Sequence, residues 1–345
     1  LTQIRNAPVA EARSFLERSD RGHLDLPRAR EGGLAGGFFA IFSANPGWEP
    51  VIRPLVGPGG VEVPGGRVVD LPPRLDRRTA LSYTMSVMSD LFRWEEASGG
   101  AMKVVRTAGE LERCLADGTF AAVLHIEGVE ALDTRLEALD VFFHAGLRSL
   151  GPVWSRPNAF GHGVPFDFPR GPDTGPGLTP AGKRLVRACN RLGVLVDLSH
   201  LTEAGFWDVA RLSDAPLVAT HSCAWSLCPS PRNLTDAQLD AIESSGGVVG
   251  INYHKGFLRA DGDHRAPASL TEIVRHARCV ADRIGVEHVA LGSDFDGATM
   301  PDDLADVTGL PRLVEALRGG GFGESDLRLV GTGNWVRVLR ATWGA

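Results

Sequence analysis

Apolar residues gather into eight short runs along the chain, spaced by stretches in which apolar positions recur every three or four residues. The runs are Gly22–Leu26, Phe38–Phe42, Ala121–Ile126, Leu147–Val153, Gly193–Leu198, Pro216–Thr220, Gly247–Asn252 and His288–Gly292. Most are continuous and rich in valine, leucine and isoleucine, the pattern of strands covered on both faces. Helix starts lie between them. Thr107 with Glu110, Thr235 with Gln238 and Ser269 with Glu272 have the spacing of capping boxes. Thr179 before Pro180 predicts an N-cap followed by proline at the first helical position. Leu185, Cys189 and Leu192 then form one apolar stripe, which Gly193 ends. Such alternation implies right-handed βαβ units and a parallel sheet. Eight units in 345 residues predict an α/β fold of the closed type, a TIM-type (β/α)8 barrel, with residues 1–345 as a single domain. The chain has no GxGxxG after the first strand and no Walker sequence to favour an open doubly wound sheet. Two excursions rich in proline and glycine, 44–78 and 155–178, interrupt the pattern. The second follows the fourth strand, and its length predicts a loop over the barrel mouth.

The residues that end the runs change the picture. His23-Leu24-Asp25, His125-Ile126-Glu127, Asp197-Leu198-Ser199-His200, Thr220-His221-Ser222 and Gly292-Ser293-Asp294-Phe295-Asp296-Gly297 each close an apolar run. A parallel barrel brings the C-terminal ends of all its strands to one face, so the five clusters converge on one site. Along a strand, residues i and i+2 share a face, so His23 with Asp25 and His125 with Glu127 can point at one ion. Imidazole and carboxylate donors without thiolate suit Zn²⁺, and also fit Mn²⁺ and Co²⁺. His144, His264, His276 and His288 fall on helix or loop patterns and read as structural.

Composition narrows the partners. A formal net charge of −6 argues against nucleic acid and anionic membrane surfaces as partners. No apolar stretch reaches the ~18 residues needed to span a bilayer, and Leu1 to Asp20 is polar, without a signal-peptide core. Cysteines 114, 189, 223, 228 and 279 are odd in number and scattered, which fits free thiols in a reducing, cytoplasmic setting.

These motifs resemble, in order and over nearly the whole chain, the membrane (renal) dipeptidase family, the M19 metallopeptidases of the amidohydrolase superfamily. His23-Leu24-Asp25-Leu26-Pro27 resembles the family's HxDLP opening, and the segment from Glu31-Gly32-Gly33 to Phe38-Phe39-Ala40 its glycine-rich stretch. The His125, Asp197, Thr220 and Gly292 clusters follow, with Pro231-Arg232-Asn233 and Gly333-Asn334-Trp335. The resemblance implies two zinc ions, one held by His23, Asp25 and Asp294, the other by His200 and His221, with Glu127 bridging. Asp296 is the lesser ligand of its pair, and His125 stands behind the ligands. Arg232, beside Asn233, would hold the substrate's terminal carboxylate, and a guanidinium grips a carboxylate bidentately.

Charge counting on that ligand set supports two ions. Four positive charges face the carboxylates of Asp25, Glu127 and Asp294, and a bridging hydroxide completes neutrality. The implied activity is hydrolysis of a small dipeptide, L-Xaa-D-Xaa substrates included, by that hydroxide, with Asp294 as proton carrier. One departure stands out. Trp154 occupies the place of a family histidine that bonds the reacting carbonyl oxygen, and His162 on the following loop is a candidate replacement, as is Arg156. Another amide or lactone hydrolase on this scaffold would keep the metal ligands without needing Arg232. Relatives form homodimers, a state no sequence feature here decides.

Overall fold

The computed structural model describes residues 13–45 and 61–344, so residues 46–60 of the first excursion lie outside the described residues. Ten strands follow in chain order: β1 (Gly36–Phe42), β2 (Val61–Val63), β3 (Gly66–Val68), β4 (Met102–Val104), β5 (Phe120–Glu127), β6 (Ser149–Gly151), β7 (Leu195–Val196), β8 (Val218–Ser222), β9 (Val248–Ile251) and β10 (Val289–Leu291). β1, β5, β6 and β7 pair in parallel in that order, and β8, β9 and β10 do the same. A parallel bridge from Asp197 to Val218 joins the two groups. The result is a TIM-type α/β fold with helices outside a parallel wall, and seven of the predicted runs form its staves.

The eighth run, Gly22–Leu26, is not a strand. Asp25 caps the helix Leu26–Glu31, its carboxylate accepting the Arg28 N–H at 2.9 Å, and Pro27 occupies the first turn. An aspartate before a leucine and a proline is as good a helix start as a strand end, and capping prevailed. β10 and β1 are not paired with each other among the described residues. Between them runs a cavity of about 400 Å³. Alternate β5 residues Ala121, Val123, His125 and Glu127 line it, as expected for one face of a strand. Its lining also includes Trp335, His221 and Asp294.

Helix caps mostly follow the sequence. Thr107 accepts the Glu110 N–H, Thr235 and Gln238 form a full capping box, and the helix from Pro180 stops at Gly193 with φ of 68°. Ser269 gives no side-chain cap. Asp303 takes the Leu270 N–H instead, at 2.9 Å. The 155–178 loop is tied down: Arg67 and Phe168 exchange backbone hydrogen bonds, and Asp167 accepts the Val69 N–H at 2.7 Å. All five cysteines are free thiols. Among the described residues no helix is long and apolar enough to cross a membrane.

Candidate metal centre

Strand register sets the level of the site. Phe42 pairs with Glu127 and Glu127 with Gly151, so these strands end together. His200 lies just beyond β7, His221 within β8 and Asp294 just beyond β10. His200 and Asp294 take left-handed backbone conformations, φ of 70° and 57°. Non-glycine residues adopt this region at a cost, and such outliers concentrate at functional sites.

Three donors close into a triangle. Glu127 Oε1 lies 2.9 Å from His200 Nε2 and 3.4 Å from His221 Nε2, and the two Nε2 atoms are 3.1 Å apart. A tetrahedral zinc with ligands at about 2.0–2.1 Å separates its donors by roughly 3.3 Å. The triangle therefore has the size of one face of such a polyhedron, and its donors are the types zinc takes; the same three form a metal-capable group by proximity. On the far side of each ring, His200 Nδ1 meets Ser155 Oγ at 2.9 Å and His221 Nδ1 meets Thr220 Oγ1 at 2.8 Å.

The electrostatics suit a cation. Burial, with help from the Arg232 charge, pushes His200 down to about 3, which keeps its lone pair free at neutral pH. Burial opposes ionisation of Glu127, yet its bonds with His200 and His221 outweigh burial and hold it well below the usual carboxylate range. Burial also works against charging His221, but Glu127 and Asp294 prevail and raise it. Asp294 moves up instead, chiefly through burial, with the Glu127 charge adding to the effect. Asn252 Nδ2 donates to Asp294 Oδ2 at 3.0 Å.

Arg232 stands beside this cluster, 2% exposed. It donates to the His221 carbonyl at 3.0 Å and to Ser222 Oγ at 3.5 Å, and its guanidinium lies 5.3 Å from the Phe257 ring. Its buried Nε has no partner, and among the described residues no carboxylate comes within ion-pair distance of it. A buried cation left in this way fits an anion brought by a ligand.

Other expected site residues make further contacts in the fold. Asp25, fully buried, accepts from Arg28 Nε at 2.6 Å and from the Ser19 N–H at 3.0 Å, so its carboxylate also holds the helix start. His23 Nδ1 accepts the Asp296 N–H at 3.0 Å, which spends its lone pair on backbone. Asn233 accepts from the Cys223 N–H and donates to the Cys228 and Phe257 carbonyls, and so shapes the loop that carries Arg232. His162 meets the Gly177 carbonyl of its own loop at 3.4 Å. Arg156 is buried in an ion pair with Glu130 at 2.8 Å. Trp154 is buried against Phe42, Phe166 and His200, so it forms a wall behind that ligand. His125 sits behind the cluster, its Nδ1 2.8 Å from Ser149 Oγ.

The structural role of Asp25 has a measurable form. Asp25→Asn is expected to lower the unfolding free energy by about 3 kcal/mol, because it breaks a buried pair with Arg28. Denaturant unfolding of the variant beside wild type checks this.

Comparison with known proteins decides the family. The profile of the membrane dipeptidase family (peptidase family M19) matches residues 3–343. The chain belongs to the M19 family. Among curated relatives, a Klebsiella pneumoniae protein encoded in the pqqA 5′ region is 50% identical over 246 residues, 71% of this chain and 91% of that protein. The dipeptidase tcpJ of Claviceps purpurea is 28% identical over 322 residues, 92% of this chain and 69% of that one. Of solved structures, a metallo peptidase from Rhodobacter sphaeroides liganded with a phosphinate mimic of the dipeptide L-Ala-D-Ala has a TM-score of 0.89 and 49% identity, covering 95% of this chain and 92% of that one. The M19 dipeptidase AC gives a TM-score of 0.88 and 49% identity, covering 96% and 93%. This M19 chain is thus a metallodipeptidase, and a metal-ready triangle at its strand ends agrees with that class.

Sequence reasoning missed the residues behind the ligands. Ser155, Thr220 and Asn252 each hold a site group through one polar atom. Asn252 did carry a signal, being a polar residue that closes an apolar run as the ligands do.

Proposed function

We propose that this M19 chain is a zinc dipeptidase whose substrates include L-Xaa-D-Xaa dipeptides, with Arg232 gripping the C-terminal carboxylate. The observation that carries this reading is the Arg232 guanidinium, buried next to the Glu127–His200–His221 triangle without an ion pair among the described residues. A free carboxylate is what a dipeptide offers at a fixed distance from its one peptide bond. The Rhodobacter sphaeroides relative, bound to an L-Ala-D-Ala mimic, supports the stereochemistry.

Glu127, His200 and His221 would hold zinc, which when bound supplies Lewis acidity and makes water a better acid. The remaining work falls to the chain. Arg232 fixes the substrate's end and so the position of the scissile bond, converting binding into orientation. Asp294, raised by burial, can take a proton from the attacking water and return it to the leaving amine. Trp154, packed on His200, excludes water from that side. The count of ions follows the ligands. Asp25 shares its charge with Arg28, and Glu127 and Asp294 bring the other two carboxylates of the charge argument. Among the described residues Glu127, His200 and His221 form one complete donor triangle, and His23, Asp25 and Asp294 remain the candidates for a second ion. Five free cysteines support a reducing, cytoplasmic setting.

The test is kcat/KM of zinc-loaded protein on paired L-Xaa-L-Xaa and L-Xaa-D-Xaa dipeptides, beside the same dipeptides as C-terminal amides. The reading expects values above roughly 10⁴ M⁻¹s⁻¹ for free dipeptides, within the usual enzyme range, and a collapse for the amides. Equal rates on amides would sink the role of Arg232.

A further inference from the structure

A histidine binds a metal through one nitrogen, and the partner of the other nitrogen decides which one is free. For His221 that partner is Thr220 Oγ1, at 2.8 Å from Nδ1. The hydroxyl has a second neighbour. Asp197, 1% exposed, has its Oδ2 2.6 Å from the same Thr220 Oγ1. Its Oδ1 accepts the N–H groups of Ser199 at 3.0 Å and Thr220 at 2.8 Å. A carboxylate receiving three such donors is held in its ionised form, and an ionised carboxylate can only accept.

A hydroxyl carries one proton. Thr220 gives it to Asp197, so toward His221 it can only accept, and His221 Nδ1 must carry the hydrogen. The lone pair then lies on Nε2, the atom that faces Glu127 Oε1 and His200 Nε2. Direct contacts of Asp197 with the rings do not compete. His221 Nδ1 and His125 Nε2 stand 3.8 and 3.9 Å from Oδ2, beyond hydrogen-bond range. The His221 N–H is taken by Ser199 Oγ at 3.1 Å, which fixes the backbone on the same side.

We propose that Asp197 and Thr220 form a two-step relay that locks His221 as its Nδ1–H tautomer and so aims Nε2 at the metal. Both are positioning residues; neither touches ion or substrate. The inference rests on the reading of His221 as a ligand, and the test separates the two.

Long-range ¹H–¹⁵N correlation spectra of metal-free protein labelled at histidine, at alkaline pH where imidazoles are neutral, report the tautomer directly. Zinc competition against a chromophoric chelator then compares wild type with Thr220→Val, which keeps the shape and loses the hydroxyl, and Thr220→Ser, which keeps it. The expected result is an Nδ1–H tautomer in wild type, zinc binding weakened about 10- to 100-fold in Thr220→Val, and recovery in Thr220→Ser. An Nε2–H tautomer in wild type overturns the relay, even if Thr220→Val fails to fold. So does a folded Thr220→Val that binds zinc as wild type does. Zinc that leaves the His221 resonances unmoved overturns the ligand reading itself, whatever the tautomer.

Discussion

Arg232→Met is expected to cut kcat/KM for dipeptides by roughly 30-fold to several thousand-fold, the equivalent of about 2–5 kcal/mol for truncating one partner of a buried charge pair. The protein itself should be as stable as before, or more so. Arg232 is buried with an unpartnered Nε and, among the described residues, no carboxylate against it. Its own fold contacts are modest, one carbonyl, one hydroxyl and the Phe257 ring. Exchanging a buried charge that has no direct ion pair among the described residues for an apolar side chain of similar length removes a desolvation cost in the free protein. In the complex the same exchange strands the substrate carboxylate. Steady-state kinetics with thermal unfolding on the same samples check this pair of outcomes. A variant that loses stability but keeps its kinetics would make Arg232 a structural residue.

The second large effect belongs to the triangle. Glu127→Gln or His221→Ala should weaken zinc binding by roughly 100-fold to several thousand-fold. Structural zinc sites bind with about 10–16 kcal/mol, and one ligand of three or four carries about 3–5 kcal/mol of that. Glu127 matters most, as the only carboxylate in the triangle. Removing its charge leaves two imidazole nitrogens 3.1 Å apart with nothing anionic between them. Turnover should fall with metal occupancy and return in part at high zinc. Equilibrium dialysis with metal analysis, run beside activity, reads both; full zinc retention by Glu127→Gln would remove it from the site.

Much of this architecture was legible before any coordinates. Continuous Val, Leu and Ile runs mark strands buried on both faces, and seven of them pair in the expected parallel order. Strand ends then locate Glu127, His200, His221 and Asp294 on one face, because barrel topology does the gathering. The opening segment misled for a definite reason. His23-Leu24-Asp25 has the i, i+2 spacing of two ligands on a strand, but Asp25-Leu26-Pro27 is also an N-cap followed by a first helical turn. Spacing alone does not separate a strand end from a helix start, and the cap that Asp25 makes on the helix Leu26–Glu31 shows which one formed. Asn233 shows another limit. An amide next to a functional arginine reads as a substrate contact, whereas its three hydrogen bonds to backbone make it the frame of the loop. The relay behind His221 was out of reach for a deeper reason. Asp197 and Thr220 are both in motifs, but the direction of a proton follows from distances among three side chains from two strands.

The central claim is that Glu127, His200 and His221 form the metal site of this dipeptidase. The most direct measurement is a crystal structure of zinc-soaked protein with anomalous data at the zinc edge. The account predicts an anomalous peak at about 2.0–2.2 Å from Glu127 Oε1, His200 Nε2 and His221 Nε2. A peak at His23 and Asp25, with the triangle empty, would contradict it.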